Sequence, residues 1–232
     1  MAKAQQALRL NIANEEHGMI PAEILSAHYK EYASQPDQWV ANMEKTKRSI
    51  VDHVLNSLRP VKSLMGPLHV AVLGASDRRY LPIHERIFAE VFRDSWVTTI
   101  DIDTDHLGGG NKVLQQDVTK PFPKSLRYDV VFSHELMKFL TADEQRACIT
   151  HSYDALYTGG FAMHVMHEPS IRGTNELRPW QERVDPNALA GWQNNLSLSV
   201  NRDRVYLLEF ESDSEVDWLR KTTVLVLDKP PV

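Results

Sequence analysis

The chain has one cysteine, Cys148, in 232 residues. A lone thiol excludes an internal disulfide framework and a cysteine-built zinc site. No stretch approaches the roughly 20 consecutive apolar residues of a membrane-spanning helix. Basic residues are outnumbered, 26 Lys and Arg against 31 Asp and Glu, for a formal charge of −5. A broad cationic face for duplex nucleic acid is therefore not expected. The first residues lack an apolar signal core, and Glu15 and Glu16 count against an organelle transit peptide. Internal repeats and low-complexity tracts are missing as well. What remains is an ordinary globular composition, 42% hydrophobic and 25% charged. The expectation is one α/β domain with an appendage, in a reducing, cytoplasmic compartment.

Residues 1–65 read as helical. Over Ala22–Ala33 and Asp37–Leu58, Ile24, Leu25, Ala27, Trp39, Met43, Ile50, Val54 and Leu58 recur at helical spacings. Charged Glu44, Lys45, Lys47, Arg48 and Asp52 fill the gaps, and Ser34-Gln-Pro-Asp37 breaks one helix and starts the next. From Leu68 the period changes to that of strands. Leu68–Leu73, Trp96–Ile100, Lys112–Gln115, Tyr128–Phe132 and Phe161–Met166 read as strands. Helices are expected over Pro82–Phe92 and, behind the capping box Thr141-Ala-Asp-Glu144, to about Leu156, where Gly159-Gly160 ends it. Strands alternating with helices predict a parallel, doubly wound sheet. Asp203–Phe210 and Thr222–Leu227 lie too close for a crossover helix and predict an antiparallel pair at the sheet edge.

The most informative segment is Leu68–Pro82, LHVAVLGASDRRYLP: an apolar run, Gly74, then Ala75 and Ser76, then a helix start. Such a strand–turn–helix lets a ligand approach bare backbone, although G-x-G-x-x-G is not met. Asp101 closes the second strand about 20 residues beyond Gly74, where a carboxylate can accept both ribose hydroxyls. Asp117 follows the third strand in Gln116-Asp117-Val118, and Ser133-His134-Glu135 follows the fourth.

These positions resemble the class I S-adenosylmethionine-dependent methyltransferases, over about Tyr29 to Leu227. The resemblance implies a Rossmann-like three-layer α/β/α sandwich with a seven-stranded, mostly parallel sheet whose last strand is antiparallel, plus N-terminal helices. It divides the chain into a helical lid or extension, 1–65, and a methyltransferase-like domain, 66–232. It implies S-adenosylmethionine as cofactor and a small-molecule methyl acceptor, with a homodimer possible. Gly74, Ala75 and Ser76 would then meet the methionine end, Asp101 and Ile102 the ribose, Asp117 and Val118 the adenine, and Ser133 the cofactor near the transfer point. His134 becomes a candidate general base. Tyr29, Tyr32, Glu135, His167 and Trp180 become candidate substrate contacts. The chain departs from the family where an acid is usual, at Val72, and where glycines are usual, at Ser76 and Arg78.

Other readings remain open at this point. A degenerate turn suits a non-catalytic methyltransferase-like binding protein, and Arg78 would suit an NAD(P)-dependent oxidoreductase through its phosphates. His134, His167 and Glu168 invite a metal reading, but solvated or substrate-contacting side chains are the expectation and no metal is assigned. Cys148 is expected in the core.

Overall fold

The computed structural model describes residues 22–58, 67–92, 94–110, 112–171, 183–191 and 205–230. Helices α1 (Ala22–Ala33) and α2 (Asp37–Leu58) have the bounds expected from their apolar spacing. Between them the Ser34 hydroxyl donates to the Glu31 carbonyl at 2.7 Å, closing the last turn of α1 before Pro36. There follow β1 (His69–Leu73), α3 (Tyr80–Val91), β2 (Trp96–Asp101), β3 (Val113–Gln115), β4 (Tyr128–His134) and α4 (Ala142–Asp154). The remainder comprises β5 (Leu156–His167), short helices α5 (Glu168–Ile171) and α6 (Pro186–Gly191), β6 (Val205–Glu211), α7 (Asp217–Arg220) and β7 (Lys221–Asp228).

The strands form one seven-stranded sheet in the order β3-β2-β1-β4-β5-β7-β6. Neighbours among β1 to β5 are parallel, whereas β7 runs antiparallel to both β5 and β6. This is the predicted sheet with its predicted edge hairpin. Alternate residues of each strand feed opposite faces, as a period of two requires. Val70, Val72, Phe132, Met163 and Val165 pack with α2 and α3, while Ala71, Leu73, Val131, Ala162 and Met166 pack with α4. Cys148 is fully buried in the second of these layers. The capping box is formed: the Thr141 hydroxyl accepts from Glu144 N, and Glu144 accepts from Thr141 N. No helix among the described residues is long and apolar enough to cross a membrane.

Two elements differ from the sequence reading. Helix α3 starts at Tyr80, because Asp77 accepts from the backbone N–H of both Tyr80 and Arg79 and turns the chain earlier than Pro82. More instructive is β5, which begins at Leu156 and runs through both glycines that were read as a helix stop. Gly159 has φ +87°. A Cβ on Gly160 would lie 2.7 Å from the Asp129 carbonyl oxygen and 3.0 Å from that of Tyr157. The glycine thus allows β5 to pass against β4 where the register shifts between Tyr128 and Val130. Gly160→Ala is expected to destabilise the fold by about 1–3 kcal/mol, the scale of overpacking against atoms that cannot retreat. A urea midpoint equal to wild type would refute that close approach.

Candidate active site

The strand order reverses direction between β1 and β4, and in open α/β sheets ligands bind at the carboxyl ends of strands at such a point. The turn after β1 is held there by β2. Gly74 N donates to the Ile100 carbonyl at 2.8 Å, and Ala75 N donates to Asp101 Oδ2 at 2.8 Å. Gly74 takes φ +78°, a left-handed conformation that favours glycine. Asp101 is 6% exposed. Burial raises its pKa, and the Ala75 amide, the charge of His106 and the Asp103 amide act against that rise.

Helix α1 reaches the same carboxylate. The Tyr29 hydroxyl donates to Asp101 Oδ1 at 3.1 Å, and its ring stacks on His106 at 3.6 Å between centroids. His106 Nε2 in turn donates to the Ala75 carbonyl at 2.6 Å. Beneath Tyr29 lies a cleft of about 830 Å³ whose walls include Gly74, Ala75, Ser76, Asp101, Ile102, Asp117 and Val118. Asp117 spends one oxygen on its own turn, accepting from Thr119 N at 2.8 Å and from its hydroxyl at 2.7 Å. Leu25 and His28 of α1 complete the roof, and Phe139 and Leu140 form an apolar wall.

A second cavity, about 530 Å³, adjoins the first and shares Gly74, Ala75, Ser76, His134, Glu135 and Phe139 with it. Tyr32, Trp39, Tyr80 and Trp218 give it aromatic walls, and Lys47 lines it as well. His134 stands at the junction. Its Nε2 lies 3.0 Å from His167 Nε2, one nitrogen donating to the other. Burial, and then the charge of Lys47, hold the His134 imidazole well below the usual histidine range. It is a neutral ring at pH 7.

Glu135 adopts φ +59°, an uncommon conformation for a side-chain-bearing residue. Three donors fix its carboxylate: Lys138 Nζ at 2.6 Å, the Ser170 hydroxyl at 2.6 Å and His167 N at 2.7 Å. Burial alone would raise its pKa, but Lys138, His167 and these hydrogen bonds outweigh it and keep Glu135 ionised.

Most of the predicted site residues therefore meet around two adjoining cavities: Gly74, Ala75, Ser76, Asp101, Ile102, Asp117, Val118, His134, Glu135 and Tyr29 at the first, and Tyr32 at the second. Ser133 and His167 stand behind them. The Ser133 hydroxyl is fully buried 2.8 Å from His164 Nδ1. His167 is also fully buried, its Nδ1 3.3 Å from the Thr222 hydroxyl, so it supports His134 from the sheet. Trp180 lies outside the described residues. Among those described, no group of three or more His, Cys, Asp or Glu is placed to hold a metal ion.

Sequence reasoning missed Lys47, Trp39, Tyr80 and Trp218. Lys47 was read among the charges filling gaps between apolar positions, yet it follows Met43 by four residues and precedes Ile50 by three, on the apolar stripe itself. That spacing was the available signal. Arg79 is also accounted for. Its guanidinium binds Asp77 and Asp37 and the carbonyls of Gln35 and Tyr32, clasping the α1–α2 corner to the turn after β1.

No family model matches the chain, and no curated protein matches it. Solved structures do. A 1,6-didemethyltoxoflavin-N1-methyltransferase from Burkholderia thailandensis, with 1,6-didemethyltoxoflavin and S-adenosylhomocysteine bound, superposes with TM-score 0.56 at 13% identity, over 90% of this chain and 86% of that one. The N-methyltransferase NodS from Bradyrhizobium japonicum WM9, in complex with S-adenosylhomocysteine, gives 0.54 at 12% identity, over 90% and 97%. A protein described as a putative Zn-dependent alcohol dehydrogenase from Rhodobacter sphaeroides gives 0.51 at 15%, over 73% and 87%. In the order of its sheet and the helices around it, the chain shares the fold of these S-adenosylmethionine-dependent methyltransferases.

Proposed function

We propose that this protein transfers a methyl group from S-adenosylmethionine to a small molecule. The carrying observation is a buried carboxylate, Asp101, at the end of β2, tied to a bare-backbone turn at Gly74-Ala75 on the wall of a cleft of about 830 Å³. Its chemistry fits the cofactor. Asp101 is an acceptor for ribose hydroxyls, the Gly74–Ser76 backbone leaves room for an amino-acid chain, and Ile102, Val118 and Leu140 offer apolar surface to a purine. The family's acid two positions before the glycine is absent, and Val72 there is buried in the core. Asp77, the acid within the turn, is committed to Arg79.

The bound sulfonium supplies an already activated methyl group, so the chain's task is orientation and exclusion of water. The second cavity is proposed as the acceptor site because it opens onto the first at the Gly74–Ser76 turn and at His134. A neutral His134 can accept a hydrogen bond or proton from an acceptor N–H or O–H, with His167 fixing its ring. Residues 22–58 are proposed as the lid, since α1 roofs the cleft through Leu25, His28 and Tyr29. A nicotinamide-dependent oxidoreductase is disfavoured by the reversed β7, which departs from the all-parallel dinucleotide-binding order.

Calorimetric titration with S-adenosylhomocysteine and S-adenosylmethionine, beside NADH and NADPH, tests this reading. Micromolar binding of the sulfur nucleosides is the expected result. Binding of neither, or tighter binding of a nicotinamide cofactor, would sink it.

A further inference from the structure

The second cavity is more specific than an apolar acceptor pocket. Lys47 is 6% exposed, and its ammonium is set among aromatic faces: 5.0 Å from the Tyr80 centroid and 5.7 Å from that of Phe132. Its one hydrogen bond among the described residues is to His84 Nε2 at 3.0 Å, and no carboxylate there comes within ion-pair distance. The other charges on the cavity cancel, since Lys138 is paired with Glu135 at 2.6 Å. The cavity therefore presents a single uncompensated cation. Around it stand planar walls, with Trp39 and Trp218 6.3 Å apart between centroids and inclined by 30°.

We propose that this cavity takes a flat aromatic acceptor bearing an ionised oxygen, and that Lys47 anchors that oxyanion. The inference rests on the methyl-transfer reading of the same site. A buried ammonium without an anion is a destabilising arrangement that an arriving carboxylate or phenolate relieves, so the site has an electrostatic reason to select one. The indole and phenol rings select the shape. An acceptor carrying a cation is repelled by the same charge. Lys47 is a binding and positioning residue here, and the atom that receives the methyl group lies at the junction near His134 that both cavities share.

The test uses three probes of one shape on the full chain at pH 6.0: 2-naphthoate, its neutral amide and 2-naphthylmethylammonium, each titrated with and without saturating S-adenosylhomocysteine. The anion is expected to bind at least tenfold tighter than the amide, and the ammonium weakest. Lys47→Met, of similar length and uncharged, is expected to abolish the preference while S-adenosylhomocysteine affinity stays unchanged. A second measurement needs no variant. The titratable groups facing Lys47 are His84 and Tyr80 from α3, His134 from β4, His167 from β5, Tyr32 from α1 on the same cavity, and the Lys138–Glu135 pair. Burial keeps the three imidazoles neutral and the Tyr80 phenol protonated, and brings the Lys47 pKa down to about 7. The wild-type preference for the anion is therefore expected to fade between pH 6 and pH 9. Equal binding of anion and amide, or a preference that survives Lys47→Met and high pH, would overturn the proposal. Absence of S-adenosylhomocysteine binding would overturn the methyltransferase reading instead, and the naphthoate–amide comparison without nucleoside still decides the role of Lys47.

Discussion

Lowering the pH from 7.5 to 5 is expected to remove most of the protein's stability, well before its carboxylates protonate. The cause is a set of imidazoles folded into the sheet. His164 and His167 are fully buried with pKa values brought down to about 4 by burial, and His84 and His134 are held well below the usual histidine range by the same cause. Their environments explain this. His164 Nε2 and His84 Nδ1 are buried without a hydrogen-bond partner, so an added proton would have no acceptor. The sign follows from linkage. A histidine whose folded pKa is depressed contributes its full stability above the unfolded value of about 6.5 and loses it as pH falls toward the folded value. At pH 5 His164 and His167 together withdraw about 4 kcal/mol, and His84 and His134 add to it, against a typical total of about 5–15 kcal/mol. Lys47 acts in the same direction at higher pH. Its lowered pKa makes the folded state gain on the unfolded one from about pH 7 upward. Thermal midpoints between pH 4.5 and 9 should thus climb steadily. A midpoint flat from pH 7.5 to 5 would show that these imidazoles are solvated.

Asp101→Ala is expected to weaken S-adenosylhomocysteine binding by about 10- to 100-fold, the equivalent of about 1.5–3 kcal/mol for hydrogen bonds to a charged group. Two losses combine. The carboxylate is the proposed ribose acceptor, and it also orders the turn through Ala75 N. Tyr29→Phe separates them. It removes the hydroxyl that occupies Asp101 Oδ1 at 3.1 Å but leaves the ring stacked on His106. If ribose and Tyr29 draw on the same oxygen, the phenylalanine variant binds the nucleoside as tightly as wild type or more tightly. An Asp101→Ala protein with unchanged affinity would take the carboxylate out of the cofactor site altogether.

Legibility from sequence followed the range of the interactions. The bounds of α1 and α2 were readable because helical spacing and the Ser34–Pro36 break are local signals. So was the edge hairpin, since the short span between β6 and β7 forbids a crossover. The glycines at 159 and 160 misled because their reason is distant: Asp129 lies on the neighbouring strand, and only pairing brings its carbonyl under Gly160. Asp101 was readable as a position, but its grip on the Ala75 amide was not, because Asp103 offers the same chemistry two residues on. Ser133 and His167 were read as site-facing from their place at strand ends. The structure gives both a buried partner across the sheet instead. Lys47 was legible in principle, as a charge out of place on an apolar stripe.

Helix α1 covers one cavity with Tyr29 and borders the other with Tyr32, three residues further on the same face. Arg79 fastens the end of that helix to the turn whose Gly74, Ala75 and Ser76 line both cavities. The two chambers are consequently not independent. A displacement of α1 that opens the first cavity also disturbs the wall of the second, so one short helix and its tether couple them.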